Sequence, residues 1–195
     1  MIGYSLRHMT RVISFTEALS APRNTTGSMI HCPFNIFDRM LSMVNDNRHE
    51  ETIGIMLAHE PKPGQYIICN LLELNIGTML QVGHDERNLN AALTVKNIAN
   101  QSGYNITVVE FHTHTKIMCD PYPEGAVNFS EQDYYAYSQR KIHIYGDKYV
   151  HTLFTPTHVL TLGSTLPSFT VLDQRNPALE KVGELINKQY HQLVR

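Results

Sequence analysis

Short apolar runs alternate with amphipathic segments along this chain, and that alternation limits the folds it can adopt. Residues 33–44 and 88–102 carry apolar side chains at helical spacing, whereas TIGIMLAH, YIICNLLEL and NITVVEFH are compact runs typical of strands. SEQDYYAYSQRK predicts a third helix, and the tail from Asn176 predicts a fourth. Between them, IHIY, YVHTLFT, HVLTLG and SFTVL predict closely spaced strands. This order predicts an α/β (α+β) domain around one mixed sheet.

The chain of 195 residues is long enough for one domain with short additions. Residues 1–28 end in the polar, turn-rich SAPRNTTGS and predict an N-terminal extension laid on the domain. Residues 29–175 form the main domain, and 176–195 form a C-terminal helix capped by Asn176. One face of that helix carries an apolar stripe: Leu179, Val182, Ile186 and Leu193.

Composition narrows the functional classes. The net charge is −2 and Lys and Arg form no run, so nothing in the sequence indicates a nucleic-acid partner. No apolar run approaches the roughly 18 residues of a membrane span. The three cysteines are scattered, which argues against a disulfide framework, and Thr16 and Glu17 interrupt the N-terminal apolar patch that a signal peptide would need. We therefore expect a cytoplasmic enzyme or binding domain.

A His-x-His pair ends the predicted strand NITVVEFH. Side chains two apart on a strand point to one face about 7 Å apart, so His112 and His114 can reach one ion, and neutral imidazole is a common zinc ligand. With 11 histidines, such a pair also arises by chance at a strand edge. Ser130 and Asp133 form an ordinary helix start, yet an aspartate in a first helical turn can also point back towards the preceding strand.

A third element lies upstream, where Glu51 opens a strand and Gly54 follows it. Alone, Glu51 would be a solvated glutamate beside Glu50. Glu51-Thr-Ile-Gly54, His112-Thr-His114 and Ser130-Glu-Gln-Asp133, in this order, resemble the JAMM signature of the MPN metalloproteases. That family includes the deubiquitinating subunit of the proteasome lid and endosome-associated deubiquitinases. The resemblance covers roughly residues 29–165 and implies that residues 29–175 are a single MPN catalytic domain.

The resemblance implies a fold and a catalytic site. The fold would be a cytidine-deaminase-like sandwich of helices around a curved mixed β-sheet. One Zn²⁺ would be held by His112, His114 and Asp133, with a water in the fourth position, whose pKa the metal would lower to about 7. Glu51 would act as general base, and Ser130 would donate a hydrogen bond to the developing oxyanion.

The resemblance also implies a substrate. A zinc isopeptidase of this kind would cleave the amide or isopeptide bond at the C-terminus of a ubiquitin-like modifier, whose tail would add as an extended strand. The alternatives are a peptidase that processes a small sulfur-carrier protein or another peptide, and a scaffold domain that binds zinc in an occluded site. Conjugates of a ubiquitin-like protein or a peptide are the expected partners, and an oligomer or a partner subunit remains compatible with the sequence.

The segment between His114 and Ser130 departs from the family pattern. Its fifteen residues, 115–129, are about twice the usual length, and Thr115 stands where a proline is common. The extra length predicts an ordered loop that gates the site or contacts the modifier's tail, at a closure cost well under 1 kcal/mol. If the loop folds back, Cys119 with its neighbour Asp120 would block the fourth zinc position; otherwise Cys119 is a plain loop cysteine.

Glu110 stands where the family often has an aromatic residue. On a regular strand it shares the face of His112, so it is either a partner for an imidazole or a rival to Glu51 as the acidic group. We favour Glu51 as the base because of the glycine that follows it.

Overall fold

Eight strands form one mixed sheet in the computed structural model, which describes residues 10–20, 27–45, 50–78, 85–120, 128–173 and 176–195. The strands are β1 (Thr10–Ser14), β2 (Met29–Pro33), β3 (Glu50–Lys62), β4 (Gln65–Thr78), β5 (Ile106–Thr113), β6 (Val150–Phe154), β7 (His158–Gly163) and β8 (Ser168–Leu172).

Six α-helices accompany this sheet within the same ranges. They are α1 (Phe15–Ser20), α2 (Phe34–Asn45), α3 (Glu86–Gln101), α4 (Lys116–Cys119), α5 (Glu131–Arg140) and α6 (Pro177–Val194). None of the helices in the described ranges is long and apolar enough to cross a membrane.

The strand order is β1-β7-β6-β5-β3-β4-β2-β8. The pairs β2–β4, β2–β8 and β5–β6 are parallel, whereas β1–β7, β3–β4, β3–β5 and β6–β7 are antiparallel. The sheet nearly closes on itself, since β8 approaches β1 and β7. The predicted mixed α/β architecture is confirmed at this level.

Two hydrophobic cores lie on opposite faces of the sheet. Met56 and Ala58 of β3 pack in the core that α1 and α2 cover, whereas the alternating residues Ile55 and Leu57 pack in the core beneath α3 and α6. Successive side chains of a strand point to opposite faces, so a strand covered on both sides is apolar throughout. A third cluster joins α5 to β6 and β7.

One predicted strand is wrong. IHIY belongs to a π-helical turn, Lys141–Tyr145, that continues α5. The alternating isoleucines suggested a half-buried strand, but Ile142 is 70% exposed and Ile144 is 43% exposed. The helical path ends at Gly146, whose φ of 76° suits glycine.

The ends of the chain differ in detail from the predicted pattern. Residues 10–20 of the predicted extension form β1, which pairs with β7, and α1. In α6, Val182, Ile186 and Tyr190 are buried, whereas Leu193 of the predicted stripe is 44% exposed. The buried positions recur every fourth residue, so Tyr190 takes the place assigned to Leu193.

Candidate metal centre

Antiparallel pairing of β3 with β5 brings Glu51 to the His-x-His pair. Ile53 pairs with His112, and two residues further along the same register Glu51 faces His114. The backbone N–H of Thr52 donates to Thr113 Oγ1 at 3.0 Å, so the contact extends to the last residue of β5. Strand register therefore joins two motifs that lie far apart in the sequence.

Gly54 explains why the upstream motif ends in glycine. It pairs with Phe111, and a Cβ added at Gly54 would collide with the Phe111 ring and with the carbonyl oxygen of Leu72. Only glycine allows the backbone of β3 to lie this close to its neighbours. The residue thus shapes the sheet directly beside the candidate site.

His112, His114 and Asp133 converge at the end of β5. Their candidate ligand atoms all lie within 4.8 Å of one another, and His112 Nε2 is 3.6 Å from Asp133 Oδ1. Two ligands on one tetrahedral zinc are about 3.3 Å apart, given metal–ligand bonds of 2.0–2.1 Å. A small closure of the side chains would therefore bring the three groups onto a single ion.

The Nε2 atom of His112 is the strongest local sign of a cation site. The side chain is 2% exposed, and its buried Nε2 has no hydrogen-bond partner among the described residues. Burial lowers the pKa of His112 to about 3 against the opposing charge of Asp133, so the ring is neutral at pH 7. An unpaired buried polar atom costs about 1–3 kcal/mol, which a coordinated cation would offset. The residues present therefore fit a metal.

Asp133 is aimed at His112 by the start of α5. Its Oδ2 accepts hydrogen bonds from the backbone N–H and the hydroxyl of Ser130, both at 2.7 Å, while Oδ1 faces the imidazole. Ser130 Oγ in turn accepts from the Asp133 N–H at 3.2 Å, forming a capping box. Burial alone would raise the pKa of Asp133, but His112 and the bonds from Ser130 hold it below its usual range. Asp133 is therefore a carboxylate at neutral pH.

Glu51 lies beside the three candidate ligands. Its Oε1 is 3.5 Å from His114 Nε2, and its side chain is 13% exposed. Burial, together with the charge of Asp133, raises the pKa of Glu51 to about 8. The carboxyl group can therefore exchange a proton near neutral pH, as a general base must.

Glu110 is completely buried behind His112. Its carboxylate forms an ion pair with Arg140, and its Oε1 is 3.0 Å from His151 Nδ1. His151 Nε2 in turn is 2.7 Å from His112 Nδ1. Two roles were considered for Glu110, and the geometry favours that of a partner for an imidazole. The imidazole that it contacts is that of His151, which in turn contacts His112.

Sequence reasoning missed His151 and Arg140. Parallel pairing of β5 with β6 places Glu110 opposite His151, and Arg140 comes from the last turn of α5. The available signal was a histidine inside the predicted strand YVHTLFT and a buried glutamate needing a counter-charge. Neither feature reveals the strand register that brings the residues together.

Cys119 and Asp120 lie at the end of α4. Among the described residues, the metal-compatible group consists of His112, His114 and Asp133 and includes neither of them. Burial, together with the charge of Asp120, raises the pKa of the Cys119 thiol to about 11, so it is protonated at neutral pH. Residues 121–127 of the predicted gating loop lie outside the described ranges.

Comparisons with known proteins add little to this geometry. The sequence matches no protein-family model and no curated protein. A similar solved structure is the solution structure of protein DSY2949 from Desulfitobacterium hafniense, with 11% identity and a TM-score of 0.46. The match covers 77% of this chain and 98% of that chain. A likeness this distant carries no argument about fold or function.

Proposed function

We propose that this chain is a zinc metallopeptidase of the JAMM type. Its substrate would be an amide or isopeptide bond at the C-terminus of a ubiquitin-like modifier. The observation that carries the proposal is the convergence of His112, His114 and Asp133 around the unpaired Nε2 of His112. Two imidazoles and one carboxylate form a donor set that catalytic zinc uses, with a fourth position left open.

The chemistry divides between the metal and Glu51. Zinc, when bound, supplies a Lewis acid that polarises a carbonyl group and makes water more acidic. Glu51, beside His114, takes a proton from the attacking water and delivers it to the leaving amine. A positioned base of this kind contributes about 10²–10⁴-fold to the rate. The position of Glu51, whose Oε1 lies 3.5 Å from His114 Nε2, supports the choice of this residue.

Ser130 is the proposed donor to the developing oxyanion. In the arrangement described, its hydroxyl donates to Asp133 Oδ2 at 2.7 Å. The hydroxyl therefore has to turn from Asp133 towards the substrate during the reaction. Loss of one such donor costs about 10²–10³ in rate.

The segment 115–129 is the proposed contact for the modifier's tail. Glu51 and His112 lie on β3 and β5, and both strands already have neighbours on each side. A tail in extended conformation therefore cannot add directly beside β5, which favours the segment after His114 as its partner.

Metal analysis tests the site. Purified wild-type protein should hold about one zinc per chain, and His112→Ala should lose it. His191→Ala is the matched control, because His191 is an exposed histidine on α6 and its loss should leave the zinc in place. Retention of zinc by His112→Ala would show that the assigned site is wrong.

Cleavage assays of Glu51→Gln test the reaction. The wild type is incubated with modifier–lysine conjugates and, separately, with a C-terminally extended sulfur-carrier precursor. We expect cleavage of the conjugates and a loss of at least about 10² in rate in Glu51→Gln, with zinc retained. Preference for the precursor would identify a processing peptidase. Bound zinc without turnover of either substrate would identify a scaffold domain, and full activity of Glu51→Gln would place the base elsewhere.

A further inference from the structure

A chain of hydrogen-bonding side chains runs behind His112. His112 Nδ1 is 2.7 Å from His151 Nε2, and His151 Nδ1 is 3.0 Å from Glu110 Oε1. The hydroxyl of Tyr149 lies 3.1 Å from the same Nδ1. His112, His151 and Glu110 are all buried. Bulk water therefore does not set the positions of their protons.

The acidic end of this chain determines where each proton lies. A carboxylate only accepts hydrogen bonds, and Arg140 holds Glu110 in that form as its ion-pair partner. His151 therefore carries a proton on Nδ1, which it donates to Glu110. In its neutral form an imidazole has one donor and one acceptor, so a neutral His151 with its proton on Nδ1 would accept a hydrogen bond at Nε2.

The proton position on His112 follows from the same argument. With His151 Nε2 as the acceptor, His112 Nδ1 would donate to it across 2.7 Å, and a proton on Nδ1 would leave His112 Nε2 as a bare lone pair. That atom is the one that faces Asp133 and has no hydrogen-bond partner among the described residues. The hydrogen bonds from Glu110 through His151 to His112 Nδ1 therefore account for the unpaired Nε2 on the other side of the His112 ring.

We infer that His151 is a positioning residue for the metal centre. Oriented by Glu110, it fixes His112 in the tautomer whose Nε2 faces His114 and Asp133. The inference rests on the proposed zinc site and adds residues to it. Partners that orient a ligating imidazole commonly raise metal affinity by 10–100-fold. Here an imidazole lies between the carboxylate and the ligand.

The tautomer can be measured without any substitution. Two-bond ¹H–¹⁵N correlation spectra of the chelator-treated wild type at neutral pH distinguish a protonated ring nitrogen from a bare one. We expect the proton of His112 on Nδ1 and the proton of His151 on Nδ1. A proton on His112 Nε2 would overturn the inference.

Zinc affinity supplies a second readout. In competition with a chromophoric chelator, His151→Phe should bind zinc 10–100-fold more weakly than the wild type. His151→Gln retains an amide oxygen that can accept from His112 Nδ1, so its affinity should stay within about fivefold. His191→Gln, at an exposed position on α6, is the matched control and should bind as the wild type does. Circular dichroism and melting of the metal-free proteins establish that each variant folds.

The pattern across the variants decides the question. Wild-type affinity in folded His151→Phe, or an equal loss in His151→Phe and His151→Gln, would overturn the positioning role. If His151→Phe fails to fold, the wild-type spectra and the affinity of His151→Gln still test it. His112→Ala and Asp133→Ala separate the two proposals: zinc binding unchanged in both refutes the metal site itself. Loss in those two with none in His151→Phe refutes the inference alone.

Discussion

Burial acts in opposite directions on two residues of the candidate centre. It lowers the pKa of His112 to about 3 and raises that of Glu51 to about 8. Both side chains are therefore mostly uncharged at pH 7 in the metal-free protein, while Asp133 keeps its negative charge. A cation that enters the site contacts the Asp133 carboxylate and the unprotonated Nε2 of His112. No proton therefore has to leave His112 before the cation binds.

The stability of the metal-free protein should depend on pH through Glu51. Its pKa rises from 4.5 to about 8 on folding, so its contribution to stability is complete below pH 4.5 and is lost as pH rises through 8. His112 acts in the opposite sense, since its pKa falls from 6.5 to about 3 and its contribution is lost only below pH 6.5. Between pH 6.5 and 8, Glu51 makes the larger change, because only the last part of the unfolded-state titration of His112 falls in that interval.

Urea unfolding of chelator-treated protein at pH 6.5 and pH 8 measures this effect. The wild type should lose stability over that interval with a slope of at most about 1.4 kcal/mol per pH unit. Glu51→Gln has no proton to lose, so its curve should be flatter. Equal slopes for the two proteins would contradict the raised pKa of Glu51.

Ser130 should contribute to stability as well as to the site. Ser130→Ala removes the hydroxyl that caps α5 and one hydrogen bond to Asp133, so the free energy of unfolding should fall by about 1 kcal/mol. Ser138→Ala on the same helix removes only a local bond to the Tyr135 carbonyl and should change it by less than about 0.5 kcal/mol. If the two substitutions lowered the free energy of unfolding equally in denaturant, the cap would contribute no more than the local bond of Ser138.

Sequence reasoning reached some residues of the site and missed others for a physical reason. His112 lies on β5, His114 directly follows the last residue of that strand, and Asp133 lies in the first turn of α5, so local patterns sufficed to group them. His151 joins the site through the pairing of β5 with β6. Strand register is a property of the folded sheet and leaves no mark at the residue itself.

At the scale of elements, the pairing of β3 with β5 is the contact that assembles the site. Gly54→Ala should disrupt it, because the new Cβ would collide with Phe111 and with the Leu72 carbonyl. Strain of this kind costs about 1–3 kcal/mol, and the shift of β3 should also weaken zinc binding. Thermal unfolding and metal titration measure the two effects.

Gly163→Ala is the matched control for this prediction. Gly163 ends β7, and a Cβ there would lie 3.4 Å or more from its neighbours, which is an ordinary contact. This variant should keep the stability and zinc affinity of the wild type within about 0.5 kcal/mol. A Gly54→Ala protein that behaves like Gly163→Ala would refute the steric role of Gly54.

Most elements could be predicted because their hydrophobic periodicity matches their burial. The long hairpin of β3 and β4 is apolar on both faces because helices cover both sides of the sheet. The prediction failed at residues 142–145, where alternating isoleucines face solvent and α5 continues as a π-helical turn. Periodicity reports which side chains are apolar, and it misleads where apolar side chains are exposed.

At the scale of the whole molecule, the candidate centre joins β3, β5 and α5. Zinc should therefore stabilise the entire fold, because binding to the native state alone adds about 2.7 kcal/mol at a free concentration of 100 times Kd. For a chain of this size, that corresponds to a rise in Tm of about 5–10 °C. The comparison is between chelator-treated protein and the same sample with zinc restored.

Two controls make the Tm measurement specific. His112→Ala should show no rise with zinc, since it lacks a central ligand. Magnesium should leave the Tm of the wild type unchanged, because it prefers oxygen ligands in octahedral geometry. A zinc-induced rise that persists in His112→Ala would come from another site.

The global architecture was predictable only to its class. The order of elements predicts a mixed α/β domain, and that is what the chain forms. The near closure of the sheet and the pairing of β1 with β7 depend on contacts between distant segments. The finer expectation of a cytidine-deaminase-like MPN fold stays a prediction.

Insertions or deletions within helix α5 would change the relative positions of two of its side chains that contact β5. Asp133 in its first turn faces His112, and Arg140 in its last turn pairs with Glu110 on the same strand. Deleting one residue between them would rotate the two side chains by about 100° relative to each other and break one attachment. Insertions in segment 115–129 change no such angle. An engineer could therefore graft new sequence into that segment while the interval from Asp133 to Arg140 is left at its present length.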